Sequence, residues 1–295
     1  MADPPRAPVL FVNPRSGGGR AARARVAERA REQGVEVVEL GGDQDLRALV
    51  DQAVADGADA LGMAGGDGSL GVVAAAAYAH DLPFVCIPAG TRNHFARDLG
   101  LDPSDPAGGL EAFGDAVEGR TDLGEVNGRL FLNLVSLGVY GEAVQRTGYR
   151  DAKARTLLET ARAVLGESGA VPEVNLMDDR GAVHRNPVIL LVSNNPYSLE
   201  RPMSHGARPR LDTGRLGIIV IDAPTGGRRP PGRAWSESAL EVGALSTIHA
   251  GVDGEAVEIV PPVQFSIQPR ALRVRVPRRN AAQRRPPRPG RPRRR

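Results

Sequence analysis

Short apolar runs alternate with helix-type segments along the first 120 residues of the chain. Residues 8–12 form a continuous apolar run, which is typical of a strand buried in a parallel sheet. Residues 20–33, rich in Ala, Arg and Glu, favour a helix. The alternation predicts βαβ units, and therefore an α/β fold with a parallel sheet covered on both faces. The further predicted elements are strands at residues 35–40, 60–64 and 84–87 and helices at residues 45–56 and 71–80.

The pattern changes after Gly119, where short strand-like runs follow one another between Gly, Asn, Asp and Pro residues. These runs predict an antiparallel β domain with one helix near residues 152–165. Beyond Pro277 the chain is rich in Pro and Arg and too polar to bury a core, so we expect disorder there. The predicted strands are residues 121–126, 129–136, 173–177, 188–192, 216–221, 246–249, 257–260, 265–268 and 272–276. The predicted domains are residues 1–122 (α/β), 123–277 (antiparallel β) and 278–295 (tail).

Charge is unevenly distributed along the chain. The 295 residues include 38 Lys or Arg and 35 Asp or Glu, for a formal net charge of +3. Nine arginines and no acidic residue lie between Pro277 and Arg295, which leaves 29 basic and 35 acidic side chains, a net charge of −6, in the rest. The basic character therefore belongs to the tail, and the acidic body argues against nucleic acid as a partner.

Composition excludes several classes of protein. A hydrophobic content of 41% and a charged content of 25% are those of a globular protein. One cysteine, Cys86, excludes a disulfide framework and a cysteine-based zinc site. No run approaches the roughly 18 apolar residues needed to span a bilayer, and the first residues lack the apolar stretch of a signal peptide. We therefore expect a cytoplasmic protein of about two domains.

A first Gly-rich loop, Asn13-Pro-Arg-Ser-Gly-Gly-Gly19, follows the first predicted strand. Open α/β sheets bind ligands at the carboxyl ends of their strands, and a loop that opens a helix can present backbone N–H groups to phosphate. The loop lacks the spacing of a P-loop or a dinucleotide fingerprint. It is equally compatible with a flexible turn in which Ser16 is the N-cap, so considered by itself it decides nothing.

A second loop, Gly65-Gly-Asp-Gly-Ser69, lies between a strand and a helix. Its glycines allow close approach to a polyphosphate, Asp67 can face the phosphates or their magnesium, and Ser69 can cap the helix or bind a phosphate oxygen. A carboxylate beside phosphates is repulsive unless a divalent cation or a transferable proton lies between them. A tight turn with Asp67 as the helix cap is an equally good interpretation.

Two more motifs carry polar groups between apolar runs. In Pro88-Ala-Gly-Thr-Arg-Asn-His-Phe-Ala96, Thr91 and Asn93 supply neutral donors and acceptors at a strand end, or Thr91 is an N-cap and Asn93 a first-turn residue. In Asp253-Gly-Glu255, the Asp-Gly pair considered by itself favours a hairpin turn.

Five motifs in a fixed order give the chain a resemblance to a known family. They are Asn13-Pro-Arg-Ser-Gly-Gly, Gly65-Gly-Asp-Gly-Ser, Gly90-Thr-Arg-Asn-His-Phe-Ala, Asn127-Gly-Arg and Asp253-Gly-Glu. Together, over about residues 8–277, they resemble the diacylglycerol kinase catalytic domain family. That resemblance implies a Rossmann-like N-terminal nucleotide domain, a C-terminal antiparallel β-sandwich and an active site between them. It also implies transfer of the γ-phosphoryl group of ATP to a lipid hydroxyl, with Mg²⁺ as the metal.

The same resemblance implies roles for individual residues. Glu255 is the first candidate for the base that takes the proton of the acceptor hydroxyl, Asp67 is the second, and Asp253 belongs to the same motif as Glu255. Asp67 would also hold the magnesium of the nucleotide, and Asp212 a structural magnesium. Thr213 stands where relatives often have a second Asp, so Asp212 supplies only one carboxylate to that structural site. Separately, His94 stands where relatives often have Asp. The implied ATP-binding residues are Asn13, Ser16, Gly17, Gly65, Gly66, Asp67, Gly68, Ser69, Thr91 and Asn93.

The lipid acceptor and the partners are less well defined by the sequence. Diacylglycerol is the acceptor expected from the resemblance, with another monohydroxy lipid as the alternative. Residues 132–140 either line a lipid cleft or form a buried strand, and we favour the strand. The Arg-rich tail either attaches the protein peripherally to an anionic membrane or is a solvated extension.

Other functions also stay open from the sequence. A regulatory member of the family that binds nucleotide without turnover, an NAD kinase and, from the tail only, a nucleic-acid-binding protein are the alternatives. The oligomeric state is open, and a homodimer is one option.

Overall fold

The computed structural model describes residues 3–42, 44–138, 174–198, 208–222 and 232–281. These residues form two compact units. The first unit comprises the described residues of Met1–Gly66, Leu82–Gly119 and Val274–Arg295, and the second those of Asp67–Asp81 and Arg120–Arg273. Both units therefore combine segments that are distant in the sequence.

A parallel sheet lies at the centre of the first unit. Every residue of its strands β1, β3 and β4 is buried, as expected for strands covered on both faces. Near the C-terminus, Val274 and Arg275 of a long strand extend the sheet by pairing in parallel with β4. The strands are β1 (Pro8–Val12), β2 (Glu36–Glu39), β3 (Ala60–Gly65) and β4 (Phe84–Pro88), in the order β2–β1–β3–β4. The α/β fold predicted from the alternation of strands and helices is confirmed.

Helices follow the strands as the sequence predicts, with one exception. Asp45 caps the helix after β2, because its carboxylate accepts a hydrogen bond from the N–H of Arg47 at 2.9 Å. The single helix predicted at residues 20–33 is wrong: two helices form instead, and the break falls at Arg25, whose φ of 52° is left-handed. The helices are α1 (Ser16–Arg23), α2 (Val26–Glu32), α3 (Leu46–Ala55), α4 (Asp67–Ala79) and α5 (His94–Asp98), followed by a 3₁₀ helix at Ala107–Phe113.

Antiparallel strands predominate in the second unit, which also contains α4. One sheet of six strands has the order β12–β11–β10–β7–β14–β15, and a second group pairs β16 with β13, β13 with β8 and β8 with β9. Strand β5 pairs with β6 and β16. The bounds are β5 (Ala116–Val126), β6 (Arg129–Phe131), β7 (Leu134–Gly138), β8 (Val174–Met177), β9 (Val183–Arg185), β10 (Ile189–Asn194), β11 (Leu216–Ile221), β12 (Gly232–Glu237), β13 (Ala239–Ala244), β14 (Ile248–Val252), β15 (Glu255–Ile259) and β16 (Val263–Pro277).

Several predicted strands differ from the observed ones for physical reasons. The run at residues 129–136 is two strands, β6 and β7, because the N–H groups of Leu132 and Asn133 donate to the carboxylate of Asp253 instead of to a neighbouring strand. The runs at residues 265–268 and 272–276 belong to one strand, β16. Strands β9, β12 and β13 were not predicted, since β9 has three residues and β12 is a polar edge strand containing Gly, Arg, Ser and Glu.

The apolar core of the second unit draws on both groups of strands. Val135 of β7, Leu190 of β10 and Ile218 of β11 belong to the same buried cluster as Val242 of β13 and Phe265 of β16. Val135 and Leu137 are fully buried, so the part of residues 132–140 that β7 contains is a buried strand, as we favoured. Residues 139 and 140 lie outside the described residues. The Rossmann-like and β-sandwich names stay predictions.

The last described residues form a short helix, α6 (Arg278–Ala281). Arg279 pairs with Asp105 at 3.0 Å and with Glu111 at 3.2 Å, and Asn280 donates to the carbonyl of Gly100 at 2.8 Å. The disorder predicted from residue 278 onward is therefore wrong for this short helix, because the side chains of Arg278, Arg279 and Asn280 have partners in the first unit.

Some predictions about the chain ends and the domains are not tested. The rest of the Arg-rich tail, residues 282–295, and the helix predicted at residues 152–165 lie outside the described part of the chain. The predicted domain bounds stay a prediction. Within the described ranges, no helix combines the length and hydrophobicity that crossing a bilayer requires.

Candidate functional site

The loop after β1 consists of glycines in a backbone conformation that other residues rarely adopt. Gly17, Gly18 and Gly19 have φ values of 57°, 69° and 83°, so this part of α1 is not helical and its regular helix begins only after Gly19. A Cβ on Gly17 would lie 2.5 Å from the carbonyl oxygen of Ala89. The interpretation with Ser16 as N-cap is therefore wrong, and three successive left-handed residues produce a tightly curved backbone segment.

The loop after β4 closes on itself through Asn93. This residue is fully buried with a φ of 54°, and its side-chain amide makes two bonds to Gly90: Oδ1 accepts from N–H and Nδ2 donates to the carbonyl, both at 2.8 Å. Asn93 is also the N-cap of α5, so the interpretation of Thr91 as the N-cap is wrong. Thr91 itself is exposed. Asn93 thus shapes the loop, and its contact with nucleotide stays a prediction.

The three loops of the first unit converge at the carboxyl ends of β1, β3 and β4. A Cβ on Gly90 would lie 2.6 Å from the Cα of Gly66 and 3.0 Å from the carbonyl oxygen of Gly65, and one on Gly66 would lie 4.0 Å from Oγ of Ser16. Asn13 accepts a bond from the N–H of Arg15 at 3.1 Å, which orients the start of the first loop. Backbone approaches this close are what a phosphate-binding cradle requires, and the arrangement fits a polyphosphate ligand.

The carboxylates of the second unit gather at the N-terminus of α4, which begins at Asp67 directly after Gly66. Asn133 donates from Nδ2 to Oδ1 of Asp67 at 3.2 Å. A Cβ on Gly68 would lie 2.5 Å from Oε1 of Glu255, and one on Gly71 3.5 Å from Oδ2 of Asp253. The Asp-Gly-Glu turn therefore lies against the first turn of α4, whose dipole favours negative charge. Ser69 is half-buried in the same turn of the helix.

Asp253 begins the turn between β14 and β15, with φ values of 50° for Asp253 and 88° for Gly254. The hairpin interpretation is therefore confirmed, although the turn also brings Asp253 to α4. Its Oδ2 accepts from the N–H of Leu132 at 2.7 Å, and its Oδ1 from those of Asn133 at 2.8 Å and Leu134 at 3.1 Å. With both oxygens held by backbone, Asp253 fixes the chain between β6 and β7.

The environment of Asp253 changes its acidity. Burial, assisted by the negative charge of Asp67, raises the pKa of Asp253 from 3.8 to about 6, although the bonds from Leu132, Asn133 and Leu134 oppose the rise. The rise caused by Asp67 shows that the charges of the two carboxylates repel each other. A divalent cation held by Asp67 would offset this repulsion, so the residues present fit one magnesium ion that arrives with a nucleotide.

Glu255 differs from Asp253 in exposure and in partners. Its side chain is 43% exposed and pairs with Arg129 at 2.8 Å, and Arg129 is itself 41% exposed. Exposed ion pairs contribute little to stability, so this pair orients the carboxylate without fixing it. Glu255 is therefore a carboxylate that a ligand can reach, whereas the carboxylate of Asp253 is enclosed by backbone.

The residues around Asp212 do not fit the structural magnesium site implied by the resemblance. Oδ1 of Asp212 accepts from Nε of Arg210 at 3.0 Å, while Thr213 donates to Oδ1 of Asn195 from both N–H (2.8 Å) and Oγ1 (2.6 Å). Within the described ranges, no group of three or more His, Cys, Asp or Glu side chains could hold a metal ion. The loop is held by hydrogen bonds where a metal was expected.

A buried carboxylate joins this loop to the rest of the second unit. Asp122 accepts from the N–H of Gly214 and from that of Arg270, both at 2.7 Å. The sequence did not predict this role of Asp122. It also did not predict Asn133, which bonds to both Asp67 and Asp253, or the buried residues Asn194 and Arg208, which bond to Asn133. A polar residue interrupting an apolar run, as Asn133 does in Phe131-Leu-Asn-Leu134, was the available signal.

Glycine loops at the carboxyl ends of a parallel sheet and carboxylates at the start of α4 are compatible with a site for a nucleotide phosphate. The model of the diacylglycerol kinase catalytic domain matches residues 7–126. A Pseudomonas aeruginosa protein named "Probable lipid kinase YegS-like" is 32% identical over 302 residues, which cover 95% of this chain and 97% of that protein. The chain therefore belongs to the diacylglycerol kinase catalytic domain family.

Two further comparisons agree with this assignment. A diacylglycerol kinase of Mycobacterium tuberculosis is 39% identical over 122 residues, or 40% of each chain. A crystal structure of a diacylglycerol kinase from Bacillus anthracis has a TM-score of 0.64 at 16% identity and covers 92% of this chain and 96% of that one. At this identity the structural likeness shows the fold, and the family membership supports a lipid kinase activity.

Proposed function

We propose that the protein is an ATP- and Mg²⁺-dependent lipid kinase that transfers the γ-phosphoryl group of ATP to the hydroxyl of diacylglycerol, giving phosphatidic acid. The observation that carries the proposal is the group of Asp67, Asn133, Asp253 and Glu255 at the N-terminus of α4. It supports phosphoryl transfer because carboxylates there can hold a metal–phosphate complex and accept a proton. Membership of the family supports the lipid acceptor.

The nucleotide contacts follow from the loops of the first unit. The backbone of Gly17, Gly65 and Gly66 meets the phosphates, and Asn13 and Ser16 border the same loops. Magnesium, when bound with ATP, neutralises charge on the phosphate oxygens. In the second unit Asp67 would hold that metal, and Gly68 and Ser69 supply the first turn of α4. This arrangement suits phosphoryl transfer, in which positioning and charge neutralisation lower the barrier.

Glu255 is the base of the proposed reaction. Its carboxylate is the more exposed of the two in the Asp-Gly-Glu turn, and displacement from Arg129 frees an oxygen to accept the proton of the acceptor hydroxyl. Asp253 acts differently, because both its oxygens already accept backbone bonds. Asp253 positions the segment that carries Asn133, and through Asn133 it positions Asp67.

The acceptor places the reaction at a membrane surface. Diacylglycerol is a membrane lipid, and a body with a net charge of −6 gains nothing from an anionic bilayer. The Arg-rich tail supplies the attraction in our proposal, at about 1 kcal/mol for each Arg near the surface. The protein is then a cytoplasmic enzyme with peripheral attachment. Deletion of residues 282–295 should reduce its binding to anionic vesicles without changing its activity on short-chain diacylglycerol in solution.

The test is phosphorylation of a lipid panel with radiolabelled ATP. Diacylglycerol should be labelled in preference to ceramide, sphingosine and other monohydroxy lipids, and Glu255→Gln should lower the rate by roughly 10²–10⁴. Glu258→Gln is the matched control, since Glu258 is an exposed residue of β15 beside His249. Binding of ATP without labelling of any lipid would contradict the proposal, and so would full activity of Glu255→Gln. Formation of NADP from NAD would identify an NAD kinase instead.

A further inference from the structure

Arg208 is a buried cation whose guanidinium group contacts the segment between β6 and β7. The residue is 2% exposed. Its Nη1 donates to the carbonyl oxygens of Leu132 and Asn194, both at 2.7 Å, and its Nη2 donates to Oδ1 of Asn133 at 2.8 Å. A buried guanidinium that faces carbonyl oxygens satisfies its donors while it crosslinks the segments that carry them.

The contact with Asn133 fixes the orientation of an amide. Because a guanidinium can only donate, the side of the Asn133 amide that faces Arg208 must be its oxygen. The nitrogen therefore faces the other way and donates to Oδ1 of Asp67 at 3.2 Å. Without Arg208, the amide could turn over and present its oxygen to Asp67, which would replace an attraction by a repulsion.

The main chain of Asn133 is held as firmly as its side chain. Its N–H donates to Oδ1 of Asp253 at 2.8 Å, and its carbonyl accepts from the N–H of Asn194 at 2.9 Å and from Nη1 of Arg208 at 3.3 Å. Asn133 thus joins Asp67, Asp253 and Arg208 within one unit. The neighbouring carbonyl of Leu132 is also held, by Arg208 and by Nδ2 of Asn194 at 3.2 Å.

We propose that Arg208 is a positioning residue for phosphoryl transfer: it orients Asn133 so that the amide holds the carboxylate of Asp67 in the direction from which it binds the metal–nucleotide complex. This inference rests on the proposed function, in which Asp67 meets that complex. Groups that orient a metal-binding carboxylate typically change affinity or rate by 10- to 100-fold when they are lost.

Asn133→Asp separates positioning from simple structural support. The new carboxylate still accepts from Arg208, now in a charge-assisted bond that offsets part of the repulsion from Asp67, so kcat is compared at equal folded fraction. It cannot donate to Asp67, however, and adds a like charge beside it. We expect kcat to fall by about 10- to 100-fold, with the KM for ATP within about threefold of its original value. If Arg208 and Asn133 only support the fold, kcat should not change, and that result would overturn the proposal.

Arg208→Lys is the second variant, with Arg275→Lys as its matched control. Lys keeps the charge but loses the planar fork that holds Asn133. Arg275 is also 2% exposed and donates to backbone carbonyls, those of Ala112 and Asp3, but it lies in the first unit. At equal folded fraction, Arg208→Lys should lower kcat by about tenfold and Arg275→Lys by less than twofold. An equal loss of kcat in the two variants would mean that replacing any buried Arg lowers the activity, and that result would contradict the proposal.

A readout without turnover separates this proposal from the proposed function. The side-chain amide NMR signal of Asn133, identified by its loss in Asn133→Asp, should shift when Asp67 is changed to Asn. In the Arg208→Lys background the same change at Asp67 should leave that signal in place. If lipid phosphorylation is absent but the amide responds in this way, the proposed function fails and the positioning contact stands. If the amide does not respond to Asp67→Asn, the positioning contact is refuted whatever the activity.

Discussion

The two units present their polar groups by opposite means. The first unit uses backbone: its three loops approach so closely that a single added Cβ on Gly17 or Gly90 meets main-chain atoms, and the glycines of the first loop have left-handed φ values. The second unit uses side chains: Asp67, Asp253 and Glu255 come from segments far apart in the sequence, and Asn133 links Asp67 to Asp253. Backbone cradles suit a ligand group common to all nucleotides, whereas positioned side chains suit a step that moves a proton.

The largest expected effect comes from adding a Cβ in the backbone-built loop. Gly17→Ala combines a left-handed φ with a 2.5 Å approach to the carbonyl of Ala89, so we expect a loss of roughly 2–5 kcal/mol of stability and weaker ATP binding. Gly18→Ala is the control, because among the described residues its Cβ meets no atom within 4 Å and only the φ cost of about 1–2 kcal/mol remains. Denaturant unfolding and ATP titration measure both. Equal losses would mean that loop packing is unimportant.

The titration of Asp253 should produce the next largest effect. Because burial raises the pKa of Asp253 from 3.8 to about 6, the folded state binds the proton more tightly than the unfolded state. The stability that this proton contributes is present below about pH 4 and is lost as the pH rises through about 6. Asp253→Asn lacks this titration, so its unfolding free energy relative to the original protein should increase by about 3 kcal/mol between pH 4 and 7. A relative change of opposite sign would show that the carboxylate is not enclosed.

A smaller effect tests how the side-chain group depends on α4. Gly68→Ala adds a Cβ that would lie 2.5 Å from Oε1 of Glu255, so the flexible carboxylate must move. We expect kcat to fall by about 10-fold while the helix gains up to about 1 kcal/mol of stability, since Ala favours helix over Gly. Gly71→Ala gives the same helical gain with an ordinary 3.5 Å contact to Asp253, and it should keep its rate. A rate unchanged by Gly68→Ala would argue against Glu255 as the base.

The smallest effect is expected in the loop that contains Asp212 and Thr213, whose residues do not fit a structural magnesium ion. The exposed pairing of Asp212 with Arg210 contributes little to stability, so Arg210→Gln should leave the unfolding midpoint nearly unchanged, and a chelator should not shift it. Asp122→Asn should cost about 1–3 kcal/mol, because one of two buried N–H groups then loses its acceptor. Stabilisation by added magnesium that disappears in Asp212→Asn would show that this loop does bind a metal.

The two units also differed in how far the sequence could predict them. Buried strands such as β1 and β4 and the loops that follow them are local features, so their apolar runs and glycines were sufficient. The contact of Asp67 with Asn133 is not local, and the residues that bond to Asn133, Asn194 and Arg208, have ordinary sequence surroundings. Only the resemblance placed Asp67 and Asp253 in one site. The resemblance also implies that Asn93 contacts the nucleotide. The bonds of its side-chain amide to Gly90 could not be predicted, because a sequence motif does not show the hydrogen-bond partners of a side chain.

The pairing of β16 with β4 has a consequence for synthesis of the protein. The parallel sheet of the first unit is completed by Val274 and Arg275, whereas its preceding segment ends at Gly119. At translation rates of about 5–20 residues per second, the ribosome needs roughly 10–30 seconds to make the intervening chain. During that interval the edge of β4 has no partner from β16, and an unpaired edge can pair with another chain. We therefore expect chaperone binding to the nascent first unit to matter most during this interval, before Val274 and Arg275 have been synthesised.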